Sequence, residues 1–468
     1  GSNAFSLDAL REKINLIPSS SGAIQSSSFF HRACMNRRVT LEIVEFILDA
    51  FPAAACVGTF FFCHDEETTA YPIHFACCNE SCPASAIELL MKQNPSALSH
   101  LCKIVTGSED RGYLYRGEYL EGLPLHYYLN RESNIDLSTM KMLVEAYPEA
   151  LRTGDDETGV TPIHTLVCNP TIGELYDIVQ FLVEADPSSL RLTDRYDRVP
   201  LHVACTNKNT NSKMVRVLLD CWPESTRQRD ILGDLPIHNL CENKELDATA
   251  SLEILELLIE MDPQSVMETH QGGYLPLHYA AGETSPEFCK ILVDSYPESL
   301  RIESTYGYLP IHLACGGGRV DTVKYLFELY PESIGMMNSD GFLPIHSAVK
   351  GCGKEKLEII KYLLLQDPDA ASKATNRGCD LPLHLACRCY NFDLNVLQLL
   401  FNVHPEAVYA NNGDGKTPPE ISRRRAVRNL NIQSWPTFWK HNWPTHTKHK
   451  TSSLCTTPLI SMAGSHYT

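Results

Sequence analysis

Long apolar runs are missing from this sequence. The nearest candidate, Phe51 to Cys63, is broken by Pro52 and Gly58, and a membrane helix needs roughly 18 unbroken residues. A charged-then-apolar leader is missing too, and the opening Gly1-Ser2-Asn3-Ala4, without Met, reads as an expression scar or a fragment start. Cysteine is not scarce: there are 18 in 468 residues. That is still far below the density of a small secreted disulfide scaffold. These absences point to a reducing cytoplasmic setting, with the nucleus as the other option, and to thiols that are mostly free.

The common signatures of catalysis are absent as well. No G-x-x-x-x-G-K-[ST], no G-x-G-x-x-G after a strand, no H-E-x-x-H and no G-x-S-x-G occurs. Acid is absent after Glu420, where Arg423, Arg424, Arg425, Arg428, Lys440, Lys448 and Lys450 stand unopposed. With a total of -17, residues 1–420 therefore carry -24. A body that acidic disfavours nucleic acid as its partner.

What the chain has is repetition. Leu309-Pro310-Ile311-His312-Leu313-Ala314-Cys315 returns in phase, with its His at His74, His126, His164, His202, His238, His278, His346 and His384. A degenerate copy lies at Phe29-Phe30-His31, and a relic without His at Thr417-Pro418-Pro419-Glu420. The His-to-His spacing is 34 residues in the tightest copies and reaches 52 in the loosest. Proline at the first turn of a helix is harmless, because its missing N–H has no partner there anyway. Pro310 therefore opens a short helix with small residues at its centre. After a turn at Gly316 to Gly318, a second helix is expected from about Val320 to Tyr330. Val323, Leu326, Phe327 and Tyr330 share its apolar face. Pro331 stops it. Glycine falls five residues before the His position at Gly159, Gly233, Gly273, Gly307, Gly341 and Gly415, where a tight turn is expected.

The T/L-P-L/I-H phrase, the following x-A-C or x-A-A, the period near 34 and the two-helix unit resemble the ankyrin repeat family. The resemblance runs over roughly residues 29 to 420. It implies an all-α, ankyrin-type α-solenoid of about ten repeats plus degenerate end caps. One departure is systematic: a Pro-Glu-Ser or Pro-x-Ala ending replaces the usual Gly-Ala after the second helix. The expected domains are an N-terminal arm or partial cap at 1–28, the repeat solenoid at 29–425, and a basic, Trp-bearing tail at 426–468, expected to be poorly ordered.

Two connectors stand out. The distance from the terminating Pro to the next motif position is 15 or 16 residues in eight cases, but 22 from Pro52 to His74 and 31 from Pro95 to His126. The first long connector holds Phe60, Phe61 and Phe62, and the second Arg111, Tyr113, Tyr115, Arg116 and Tyr119. Tyr and Arg are enriched at binding hot spots, so these eight are the candidate partner-binding residues. The plain alternative is a local cap over the first repeats. Either way, alternation of Tyr113, Leu114, Tyr115 and Leu120 suits a short β-hairpin.

The in-phase His invites a metal reading, since Cys follows three residues later in six copies, as at His312 and Cys315. Successive repeats sit about 10 Å apart, whereas zinc ligands lie near 2.1 to 2.3 Å. The resemblance implies instead that the His bridges turn backbone between neighbouring units, with Cys as a small hydrophobe. No cofactor is expected. The expected function is a non-catalytic, monomeric protein-interaction scaffold or adaptor that uses its concave surface and connector loops. Its expected partner is a protein offering a basic segment. The rival is a metal- or redox-linked His/Cys protein or enzyme.

Overall fold

The structure, a computed structural model, describes residues 29–63, 66–105, 119–155, 158–389 and 393–426. It has two compact units, Gly1–Ser265 and Val266–Thr468. Both are stacks of the same two-helix repeat. The expected arm at 1–28 and nearly all of the expected tail lie outside the described residues.

One repeat of the second unit shows the construction. The inner helix runs Pro310–Gly317 and buries Pro310, Ile311, His312, Ala314 and Cys315. The outer helix runs Val320–Leu329 and buries Thr322, Val323 and Leu326. Gly316 and Gly317 belong to the inner helix, and only Gly318 turns, with φ 85°. Pro331 does more than stop the outer helix. It opens a five-residue 3-10 turn, Pro331–Gly335, because its fixed φ suits a helical first position as well as it blocks a fourth turn. The same trio recurs as Pro200–Thr206, Ser212–Cys221 and Pro223–Arg227 in the first unit. Within each unit, inner helices pack on inner helices and outer on outer.

A repeat alone has only one covered face, so its core is completed by its neighbours. In the second unit one continuous apolar cluster runs from Ala281 through Ile311, Ile345 and Leu383 to Val408. Each fully buried Leu, Ile or Val is worth about 1.5–3 kcal/mol, and the gain exists only when the next repeat is in place.

The connectors are where repeats differ. Gly159, Gly233, Gly273, Gly307, Gly341 and Gly415 all have left-handed φ between 67° and 81°. In the two short connectors without Gly at that place, Asp197 and Cys379 adopt it instead, with φ 57° and 45°. Adjacent connectors are tied by main-chain hydrogen bonds, such as Ile231 N to Tyr196 O at 2.9 Å and Ser339 N to Tyr306 O at 3.1 Å. The two long connectors depart from this pattern. The first forms β1 (Thr59–Cys63) and β2 (Glu66–Ala70), antiparallel with Phe61 opposite Thr68. The second forms β3 (Cys102–Val105) and β4 (Tyr119–Gly122), with Val105 opposite Tyr119. The helical stack is thus edged by two hairpins, and β2 lies against β3.

Candidate functional site

The motif imidazoles come first, because they are the most numerous chemical groups held in register. From His74 to His384 all nine accept, at Nδ1, the main-chain N–H of the residue three before. That N–H is one of the helix-start donors left without a carbonyl, so the ring does the work of a capping side chain. An acceptor Nδ1 leaves the proton on Nε2. In eight copies Nε2 donates to a carbonyl of the following connector, as from His126 to Val160 at 3.1 Å, His278 to Tyr308 at 2.9 Å and His346 to Lys373 at 3.1 Å. Each of these eight rings therefore stitches one repeat to the next while both nitrogens are occupied.

Burial fixes the protonation state. It pushes His74, His126, His164, His278, His312 and His346 down to about 4. His202 and His384 also move down, for the same reason. The thiols three residues after the His move the other way: burial raises Cys205 to about 12, and Cys77, Cys315 and Cys387 are pushed up as well. A thiol that keeps its proton is a poor nucleophile and a poor metal ligand. Among the described residues no three of His, Cys, Asp or Glu converge as a metal site would require. Cys379 is disulfide-bonded, and fifteen other cysteines are free.

Three further rungs escape a reading of the sequence. Five residues after the His, Asn79, Asn169, Asn207 and Asn243 donate from Nδ2 back to carbonyls of the preceding repeat. Asn169, for instance, reaches Leu129 O at 2.7 Å and Arg131 O at 2.6 Å. Arg131 holds the same place in its repeat and reaches Cys77 O and Ala76 O at 2.7 Å. In the Pro-x-Ser turns, Ser189, Ser225, Ser265, Ser299 and Ser333 are buried and donate to the carbonyl just before the Pro, at 2.5 to 2.7 Å. The arginine closing several of these turns meets the residue before the next repeat's Pro. Arg152 pairs with Asp186 and Arg227 with Asp262, while Arg191 lies 5.2 Å over Trp222 and Arg301 4.2 Å over Tyr330. The departure from Gly-Ala is thus a built contact series.

The paired strands carry four of the eight candidate partner-binding residues. Phe60, Phe61 and Phe62 lie on β1, paired with Thr69, Thr68 and Glu67. Tyr119 lies on β4. Arg111, Tyr113, Tyr115 and Arg116 lie outside the described residues. The base of the second hairpin is locked to the stack: the Tyr127 hydroxyl donates to Cys102 O at 2.6 Å, and both residues are buried. Gly122 is required there, since an added Cβ would lie 2.6 Å from His126 Cβ and 2.8 Å from the nearest atom of its ring. Among the described residues no helix is long and apolar enough to cross a membrane.

Comparison with known proteins agrees with this geometry. A family model for ankyrin repeats (3 copies) matches residues 201–300 and 277–374. A search of curated proteins found no match. Among solved structures, the crystal structure of the ankyrin repeat domain of Bcl-3, titled a unique member of the IkappaB protein family, is similar. It is 21% identical, over 51% of this chain and 97% of that one, with a TM-score of 0.37. The matched stretch contains His202, His238, His278, His312 and His346, and the same His-to-backbone stitch continues on both sides of it. Residues 201–374 of the chain are ankyrin repeats.

Proposed function

We propose that this chain is a non-catalytic adaptor that holds protein partners on its inner-helix face and connectors, with the two hairpins as a lip. One observation carries the lip. The first two long connectors abandon the left-handed turn used elsewhere and project as paired strands from a base anchored by Tyr127. A rigid surface of this kind loses little ordering entropy on binding. With -24 on residues 1–420, a basic partner segment is favoured, and its association weakens with salt. We place the protein in the cytoplasm or nucleus, as a monomer. Against the metal or redox rival, both nitrogens of eight motif imidazoles already serve the backbone, and bound zinc measured by elemental analysis would reopen it.

The test is the double variant Tyr113→Ala with Tyr115→Ala in the full chain, followed by partner retention and melting temperature. Retention is expected to fall by about tenfold or more with the melting temperature within about 2 °C of the parent. Equal loss of both would make the hairpin a structural cap and remove the lip.

A further inference from the structure

The position four residues before the motif His is aromatic in three successive repeats of the second unit: Tyr274, Tyr308 and Phe342. Each ring stands edge-on to the imidazole of its own repeat, with centroids 5.5, 5.8 and 5.7 Å apart. All three are only partly buried. The face of Phe342 is occupied: Lys350 Nζ lies 4.7 Å from its centroid. Lys350 is four residues after His346. One repeat earlier that place is Gly316, and two earlier Gly282. Neither repeat has a side chain there to lay over Tyr308 or Tyr274, although Tyr274 also meets the rings of His270 and Tyr279 at 5.2 and 6.1 Å. The space beside Gly316 is open, since a Cβ would meet only Ser347 O, at 4.0 Å.

The connectors of these repeats carry Glu268, Glu303 and Asp340 and no Lys or Arg between Val266 and Leu275, Ile302 and Leu309, or Met336 and Leu343; Asp340 is paired with Arg377 of the next connector at 3.0 Å. Tyr308 responds to both neighbours. Burial raises its phenol pKa first, then the nearby Tyr274 and Asp340 raise it further. Beside it Tyr306 is 59% exposed.

We propose that this row of connectors binds an extended basic segment of a partner protein, one cationic side chain on the face of Tyr308 and a second on Tyr274. The Lys350–Phe342 contact is the chain's own instance of the interaction, and the net negative charge of residues 1–420, with Glu303 beside Tyr308, favours a cationic partner. The spacing follows from geometry. Stacked helices lie about 8–10 Å apart, and three residues of extended chain span about 10 Å, so the two cations stand three residues apart. This rests on the adaptor reading and narrows it to a partner chemistry.

The probe is a fluorescein-labelled nonapeptide of Gly and Ser with arginines at its second, fifth and eighth positions. An isomer with the three arginines adjacent is the control. Binding to the full chain is read by anisotropy at low salt. The spaced peptide is expected to bind the tighter. Gly316→Lys brings the chain's own cation to Tyr308 and is expected to weaken it about fivefold, while Gln366→Lys, the same charge on an outer helix, leaves it unchanged. Tyr308→Leu serves as a second variant and weakens binding similarly, whereas Lys350→Ala, freeing Phe342, strengthens it. Equal affinity for both peptides, or equal effects of Gly316→Lys and Gln366→Lys, overturns the proposal. So does a gain in affinity on removing residues 427–468, which would make the chain's own basic stretch the occupant. If neither peptide binds while the Tyr113 and Tyr115 variant still loses its partner, this inference falls and the adaptor reading stands.

Discussion

A left-handed residue in each short connector is the smallest requirement of the repeat, and its cost differs from copy to copy. At Gly415 an added Cβ would meet nothing within 4 Å, so Gly415→Ala carries backbone strain alone, about 1–2 kcal/mol. At Gly341 the same Cβ would lie 2.3 Å from Asn376 N, and that N–H donates to Asp340 O of the preceding connector at 2.9 Å. Gly341→Ala must therefore break the tie between two connectors and should cost about 1 kcal/mol more than Gly415→Ala. Urea midpoints of the two variants decide this, and equal midpoints would show that the tie contributes nothing. The glycines were legible in the sequence because only glycine announces a left-handed turn. Asp197 and Cys379 fill the same role silently, since neither residue type signals it.

Between elements, stability comes from polar groups reaching across repeats, and here the sequence is much less readable. The Pro-Glu-Ser ending stood out as a departure, and its serine hydroxyl closes the turn within its own repeat by donating to the carbonyl before the Pro, while the arginine after it reaches the next repeat. Asn at five residues after the His was equally in phase, but an Asn after a helix reads as an ordinary turn residue. Only the structure shows Asn169 reaching the carbonyls of Leu129 and Arg131 in the repeat before. In the repeats of His312 and His346 glycine takes this place, as Gly317 and Gly351. A Cβ on Gly317 would fall 1.9 Å from Gly282 O, so there the backbones themselves touch. Asn169 is buried, and Asn169→Ala strands two carbonyls. The expected loss is about 1–3 kcal/mol, with hydrogen exchange accelerating first at the Pro124–Leu129 and Pro162–Cys168 helices. Acceleration spread evenly over both units would refute a local rung. The hairpins were half legible: alternating aromatics suggested strands, but β3 begins at Cys102, where the core tyrosine Tyr127 grips it, well before the Tyr-rich stretch.

Over the whole chain the stitches share one titration, and acid should undo them together. Burial lowers the pKa of eight of the motif imidazoles, which are neutral in the folded state at pH 7. Six of them titrate at about 4 because they are buried, against about 6.5 when exposed. A base whose folded pKa is lowered binds fewer protons folded than unfolded between those values. Stability is then complete above about pH 6.5 and falls as the pH drops toward 4. Protonation would also put an N–H at Nδ1 facing the main-chain N–H it accepts from, so the charged ring cannot keep the helix cap. Each such His adds up to about 1.4 kcal/mol per pH unit to the slope for the unit that unfolds around it. The carboxylates act lower. Asp186 is held below its usual range, chiefly by the Arg152 hydrogen bond, so it protonates only after the imidazoles have charged. Denaturant midpoints should therefore begin to fall near pH 6.5, and His312→Gln, less stable at pH 7, should show a shallower fall. A decline that starts only below about pH 4.5, or an unchanged slope in His312→Gln, would mean that the acids and not the imidazole series govern the response to pH.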